Sequence, residues 1–371
     1  MEVYLFTIFI LASFSFFQIT TENYRDSNQL IKFFGITSFC ILVIQMGLRW
    51  ETGTDWEPYY DHFNSFTNQK YWREINEMEI GYGFFVYLFN NFFGNYSIFL
   101  LVNAVIFYWL TFRAIRFFSP YSILGFLLFY CFSIGLWGSN RQLLSLSIGL
   151  VSLEFLYKKK LIYYFVLVFI AYLFHSSSLL FLLFFFLNKE LSFKNIFIIL
   201  LVSFVIGYTG LPVKIFSLAG GINEMATNKA EIYLNQANEN LESVRLSLFG
   251  LLKRLFFLLI FLYNRDKISK LFPKYNLLLN GYVLSLAFYF IFSQSLLVMI
   301  SRGSLYFNAM EPLLLSFQLV LLKDKKYRLI GFLILLIFAF ISFKQSISAY
   351  PELFDPYKGI FYNEHFNRVV F

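Results

Sequence analysis

Charge is what this chain has least of. Of its 371 residues only 14% are Asp, Glu, Lys or Arg, where an ordinary soluble domain carries about a quarter. The 30 basic and 22 acidic side chains are too few to coat a water-exposed surface of this size, which excludes a soluble globule. Cysteine is nearly absent too: Cys40 and Cys131 both lie in apolar runs, which leaves no disulfide framework and no Cys/His spacing suited to zinc. The formal net charge of +8 is scattered between apolar runs rather than gathered in one basic patch, so nucleic acid is not an expected partner. No Lys or Arg precedes the first apolar run, and the first basic residue is Arg25. A cleavable signal peptide needs a basic front end, so a retained first helix with its N-terminus outside is expected.

What is present is apolar and aromatic: 58% and 23% of the residues, with a mean hydropathy of +0.63. Crossing a hydrocarbon core takes about 20 apolar residues. Spans are expected at 2–19, 30–48, 96–118, 121–138, 139–157, 195–211, 247–263, 277–300, 304–322 and 329–346. The short run 81–93, closed by Asn90, Asn91, Gly94 and Asn95, reads as a re-entrant or interfacial helix. Residues 161–187 carry His175-Ser176-Ser177-Ser178 in their middle and fit either one tilted span or a hairpin. Lys and Arg favour cytoplasmic loops. The hairpin collects seventeen cations and six acids on one side, whereas a single crossing would put the Lys323–Arg328 loop outside. The hairpin is therefore expected. The fold class is an all-α polytopic membrane protein of about 10–13 transmembrane or re-entrant helices, one membrane domain over 1–371, with polar outer loops 49–80 and 219–246.

Ionisable residues in or at the edge of membrane segments are costly and stand as functional candidates. On this topology Arg49, Asp55, Arg141, His175, Arg302 and Glu311 approach the outer face, and Arg254 lies in the first half of a span that starts there. Arg49 opens Arg49-Trp50-Glu51-Thr52-Gly53-Thr54-Asp55-Trp56-Glu57-Pro58-Tyr59-Tyr60, in which Gly53 permits a tight turn. Trp50 and Trp56 are either sugar-stacking faces or belt anchors, and Arg49 has Glu51 and Asp55 as nearby partners. Arg141 suits a bidentate grip on phosphate or carbonyl capping within its turn. His175 suits a general base or a packing residue. Arg302 and Glu311 are placed in one helix nine residues apart, with Lys253 or Arg254 available to pair with Glu311. There is no Walker A sequence, GxGxxG, HExxH, GxSxG or DxD, so neither a metal nor another cofactor is expected. Cations converging outside, away from nucleotide, suit a lipid-linked pyrophosphate donor.

An ordered set of motifs gives this reading a family. Arg49…Gly53-Thr54-Asp55-Trp56…Tyr60…Phe63, then Glu79-Ile80-Gly81-Tyr82, Asn140-Arg141-Gln142, Phe174-His175-Ser176-Ser177 and Ser301-Arg302…Tyr306-Phe307 resemble the EpsG-like, Wzy-type bacterial polysaccharide polymerases. The resemblance runs from about residue 40 to 310. It implies a metal-independent glycosyltransferase of GT-C-like architecture in the bacterial cytoplasmic (inner) membrane. Such an enzyme would polymerise undecaprenyl-pyrophosphate-linked oligosaccharides at the outer, periplasmic face, building O-antigen, capsule or exopolysaccharide beside a flippase and a chain-length regulator. Carried over by position, Arg49, Asp55, Arg141, His175 and Arg302 are its functional residues. Arg141 and Arg302 are assigned to the donor pyrophosphate with Arg254 as helper, Asp55 or His175 to the acceptor proton, and Glu311 is a further base candidate. Trp56, Tyr60 and Tyr306 are candidate substrate contacts, and the aromatic spans would face lipid. The alternatives are a lipid-linked oligosaccharide flippase or transporter, and a glycan ligase.

Overall fold

The computed structural model describes residues 1–21, 29–66, 78–214, 248–295 and 299–361, with the side chains of 248, 249, 301 and 302 excepted. Among the described residues the chain is helical, and its sole extended pairing is a bridge between Arg49 and Gly359. Among the described residues five helices are long and apolar enough to cross a membrane: Glu2–Thr20, Gln29–Gly47, Tyr96–Phe118, Tyr275–Phe292 and Lys325–Ile347. This is an all-α polytopic membrane protein. The outer loop 219–246, part of the loop 49–80 and the Arg302 side chain lie outside the described residues.

The chain forms two compact units. The first comprises 1–181 and 315–371. Its helices Glu2–Thr20 and Lys325–Ile347 run antiparallel, with Tyr4 against Phe343 and Phe16 against Phe332. Local signals set the boundaries: Asn95 accepts from the backbone N–H groups of Ser97 and Ile98, and Asp324 from that of Lys326, satisfying donors that a helix start leaves open. Apolar side chains such as Phe6, Phe9, Phe33 and Ile337 point outward, as lipid contact requires.

Alternation of these helices gives the unit two chemically different ends. One carries Arg113, Arg116 and Lys158–Lys160, where Glu154 bonds Arg113 at 3.0 Å and Lys158 at 2.5 Å. The opposite end gathers the turns after Gly47, Leu136, Phe174 and Ile347. Helix Ile80–Phe93 lies at that second end. Its 14 residues span about 21 Å at 1.5 Å per residue, too short for a core about 30 Å thick. Helix Leu161–Phe174 stops at an extended His175, and Tyr164 donates to the Phe181 carbonyl at 2.6 Å. Seventeen residues of unbroken helix would hold those two about 25 Å apart, so the chain doubles back at His175, as the charge distribution requires.

The second unit is 182–314. Helices Phe193–Gly207, Leu248–Tyr263 and Tyr275–Phe292 form its body. Arg265 ties its basic end by bonds to the Leu191 carbonyl at 2.5 Å, Asn276 at 3.0 Å and Glu190 at 3.1 Å. Arg302 and Glu311 do not share one helix. Arg302 falls in the π turn Met299–Gly303, followed by the separate helices Leu305–Asn308 and Met310–Phe317.

Candidate functional site

In the first unit the polar end is built around one short loop. Residues 48–55 leave helix Gln29–Gly47 and enter helix Trp56–Ser65. Gly53 sits at φ 106°, and a Cβ there would lie 2.1 Å from the Trp137 carbonyl oxygen. Only glycine fits so close an approach in that conformation. The Thr54 N–H donates to the same carbonyl at 3.1 Å, and the Ser139 hydroxyl donates to Asp55 Oδ2 at 2.8 Å. The loop therefore carries Asp55 to the start of helix Asn140–Tyr157, whose second residue is Arg141.

Arg141 does not cap carbonyls in its turn. Its Nε donates to the Tyr59 hydroxyl at 2.9 Å, its Nη1 is ion-paired with Glu79, and its guanidinium lies 5.6 Å from the Tyr59 ring centroid. Glu79 in turn accepts from the Ser176 backbone N–H at 3.2 Å and its hydroxyl at 3.4 Å. This links Arg141 to the turn that follows helix Leu161–Phe174. His175 stands in that turn, its Nδ1 2.7 Å from the Ser177 hydroxyl oxygen. Close packing makes the link possible, because a Cβ on Gly81 would lie 2.8 Å from the Leu173 carbonyl oxygen. Asp55, Tyr59, Glu79, Arg141 and His175 thus share one end of one unit.

Burial opposes charge on Glu79, but Arg141 and then His175 outweigh it and hold the carboxyl below its usual range. Burial pushes the Tyr59 phenol above its ordinary value while Arg141 pulls the other way. Arg141 keeps 18% of its side chain exposed and Glu79 16%, so this ion pair is screened from water yet reachable.

Arg49 is placed differently. It is buried and pairs with neither neighbouring acid: Nη1 donates to the Met46 carbonyl and Nη2 to Asn140 Oδ1, each at 2.7 Å. Desolvation lowers its pKa. Asp55 goes to Ser139 and Glu51 to Lys358, and Arg49 bonds instead to a residue 91 positions away. Trp56 is also mostly buried, stacked on Tyr60 at 5.1 Å and edge-on to Trp50 at 4.7 Å and Tyr96 at 5.6 Å. Trp50 and Tyr60 form the half-buried outer layer of that cluster.

The second unit holds a separate polar cluster. Lys253 and Glu311 form an ion pair at 3.3 Å, the Arg254 guanidinium lies 4.4 Å from the Tyr289 ring centroid, and the Tyr282 hydroxyl donates to the Arg254 carbonyl at 3.1 Å. Tyr306 is fully buried. Among the described residues no group of three His, Cys, Asp or Glu converges in a way that would hold a metal ion.

Sequence alone assigns Glu79, Tyr59 and Ser139 no role in the site. The acid at 79, directly before the Ile80-Gly81-Tyr82 helix start, was the available signal for the first. Comparison with curated proteins and with solved structures finds no match. The model of the EpsG family matches residues 32–359. That range contains the whole Asp55–Glu79–Arg141–His175 constellation, and by it the chain belongs to the EpsG family.

Proposed function

We propose that this chain polymerises undecaprenyl-pyrophosphate-linked oligosaccharide repeat units at the outer face of the cytoplasmic membrane, as a glycosyltransferase that needs no metal. Membership of the EpsG family carries a polysaccharide-polymerase role. The observation that carries the finer reading is the position of Arg141 with Asp55 and His175, at the end of the first unit opposite its Arg113–Lys160 cation cluster. Lys and Arg enrichment marks the cytoplasmic side, which supports reading the Arg141 end as the outer one.

In the proposed step a hydroxyl oxygen of the incoming unit's non-reducing sugar attacks C1 of the growing glycan. The C1–O bond to the lipid pyrophosphate breaks and its electron pair leaves with the pyrophosphate. The hydroxyl proton passes to Asp55 or His175, both within the turn cluster. Arg141 would stabilise the leaving pyrophosphate. Trp50 and Tyr60 present ring faces suited to sugar, in front of the inner Trp56. Lys253 and Glu311 fit a mutually neutralised pair.

The test is incubation of the detergent-solubilised protein with lipid-linked repeat units, without nucleotide and with chelator. A product ladder that disappears in Arg141→Ala supports the reading. No ladder from folded wild-type protein on confirmed native substrate would overturn it in favour of a flippase or a ligase.

A further inference from the structure

The segment after helix Lys325–Ile347 returns across the polar end of the first unit and lies along the loop that bears Asp55. The Trp50 N–H donates to the Lys358 carbonyl at 2.9 Å, the Ile360 N–H to the Leu48 carbonyl at 2.9 Å, and the Gly53 N–H to the Leu353 carbonyl at 3.0 Å. Arg49 and Gly359 face each other in an antiparallel bridge. Side chains fix the same register: the Tyr357 hydroxyl donates to the Gln45 carbonyl at 2.7 Å and the Tyr4 hydroxyl to that of Phe354 at 3.0 Å. Lys358 is 1% exposed, and its ammonium meets Glu51 Oε2 at 2.6 Å.

Two features set this contact apart from a tail packed for apolar burial alone. A buried ammonium costs several kcal/mol of desolvation unless a carboxylate meets it. Glu51 supplies that carboxylate from a backbone at φ 42°, a left-handed conformation that side-chain-bearing residues seldom keep unless their surroundings impose it. A one-residue slip of the tail would part Lys358 from Glu51 and Tyr357 from Gln45 together, so the ion pair locks the pairing. Residues 48–55 are consequently held from both sides, by the tail through 353–360 and by the Trp137–Ser139 turn through Thr54 and Asp55.

We infer that Lys358 is a positioning residue of the site, acting through Glu51 to hold the loop that aims Asp55, and that the C-terminal strap is a working part of the site. The inference rests on the polymerase reading for its activity arm alone. Its test uses full-length Lys358→Met, Lys358→Arg, Glu51→Gln and the charge swap Glu51→Lys with Lys358→Glu. Each is measured for folded fraction, for kcat and KM in the ladder assay, and for hydrogen exchange at Trp50 and Gly53.

In Lys358→Met and Glu51→Gln, kcat per folded molecule falls by up to about 100-fold, the scale of a misplaced catalytic group, while KM holds. Lys358→Arg and the swap retain more activity than Lys358→Met and Glu51→Gln, and Trp50 and Gly53 exchange faster in Lys358→Met. An unchanged kcat per folded molecule in Lys358→Met, or unchanged exchange at both amides, overturns the inference. Should wild type form no ladder, the polymerase reading fails while the exchange measurement still decides whether Lys358 holds the loop.

Discussion

Replacing Arg141 tests the site most directly, because the side chain carries separable structural and chemical duties. In the resting protein it donates to Tyr59 at 2.9 Å and pairs with Glu79. Loss of the hydrogen bond from the charged guanidinium costs about 1.5 kcal/mol. Stranding Glu79 costs about 2 kcal/mol, below the 3–5 of a fully buried pair because both side chains keep some exposure. Arg141→Ala should therefore unfold about 3.5 kcal/mol more easily, a loss many domains survive. Its loss of rate should be larger and distinct: removing a donor aimed at developing negative charge costs about 10²–10³-fold. Arg141→Lys keeps the charge but cannot bridge Tyr59 and Glu79 with a planar fork, and it should fall between the two. The assay is ladder formation per folded molecule, with folding followed by thermal unfolding in detergent. If Arg141→Ala polymerises at the wild-type rate once corrected for folded protein, the guanidinium does not stabilise the leaving group.

The Glu79–Arg141 pair predicts a pH signature in the acid range. A carboxyl held below its unfolded value contributes stability that is complete above the ordinary carboxylate range and is lost as pH falls through the lower folded value. Wild type should therefore be more stable than Glu79→Gln near neutrality, with the difference shrinking as pH falls below about 4; a constant difference down the acid limb would contradict it. Gly53→Ala forces a Cβ to within 2.1 Å of the Trp137 carbonyl at φ 106° and should cost more than about 1–3 kcal/mol of stability, read as a fall in melting temperature. Tyr59→Phe removes the acceptor of Arg141 Nε and should cost about 1.5 kcal/mol, with little further loss when combined with Arg141→Ala. In the second unit, a double-mutant cycle on Lys253→Met and Glu311→Gln should return a coupling of about 1 kcal/mol, and zero coupling would dissolve that pair.

Hydropathy and charge placement decided the class of protein, five of the ten expected spans, the basic end and the reversal at His175, because each depends on residues near one another in the chain. The starts of the helices after Asn95 and Asp324 are also set locally, by side-chain caps. The residue types and order of the Arg49–Asp55, Asn140–Arg141 and His175 motifs already marked the candidate site. Their partners were not legible. Arg49 stands next to Glu51 and near Asp55 in sequence yet bonds Asn140. Arg141 takes Glu79 from 62 residues away, and Glu51 takes Lys358 from 307 residues away. Pairing of buried charge is settled by which helix ends the packed bundle brings to one face, and that choice is tertiary: desolvation makes an unpartnered ion costly, but only the assembled fold determines which opposite charge is within reach.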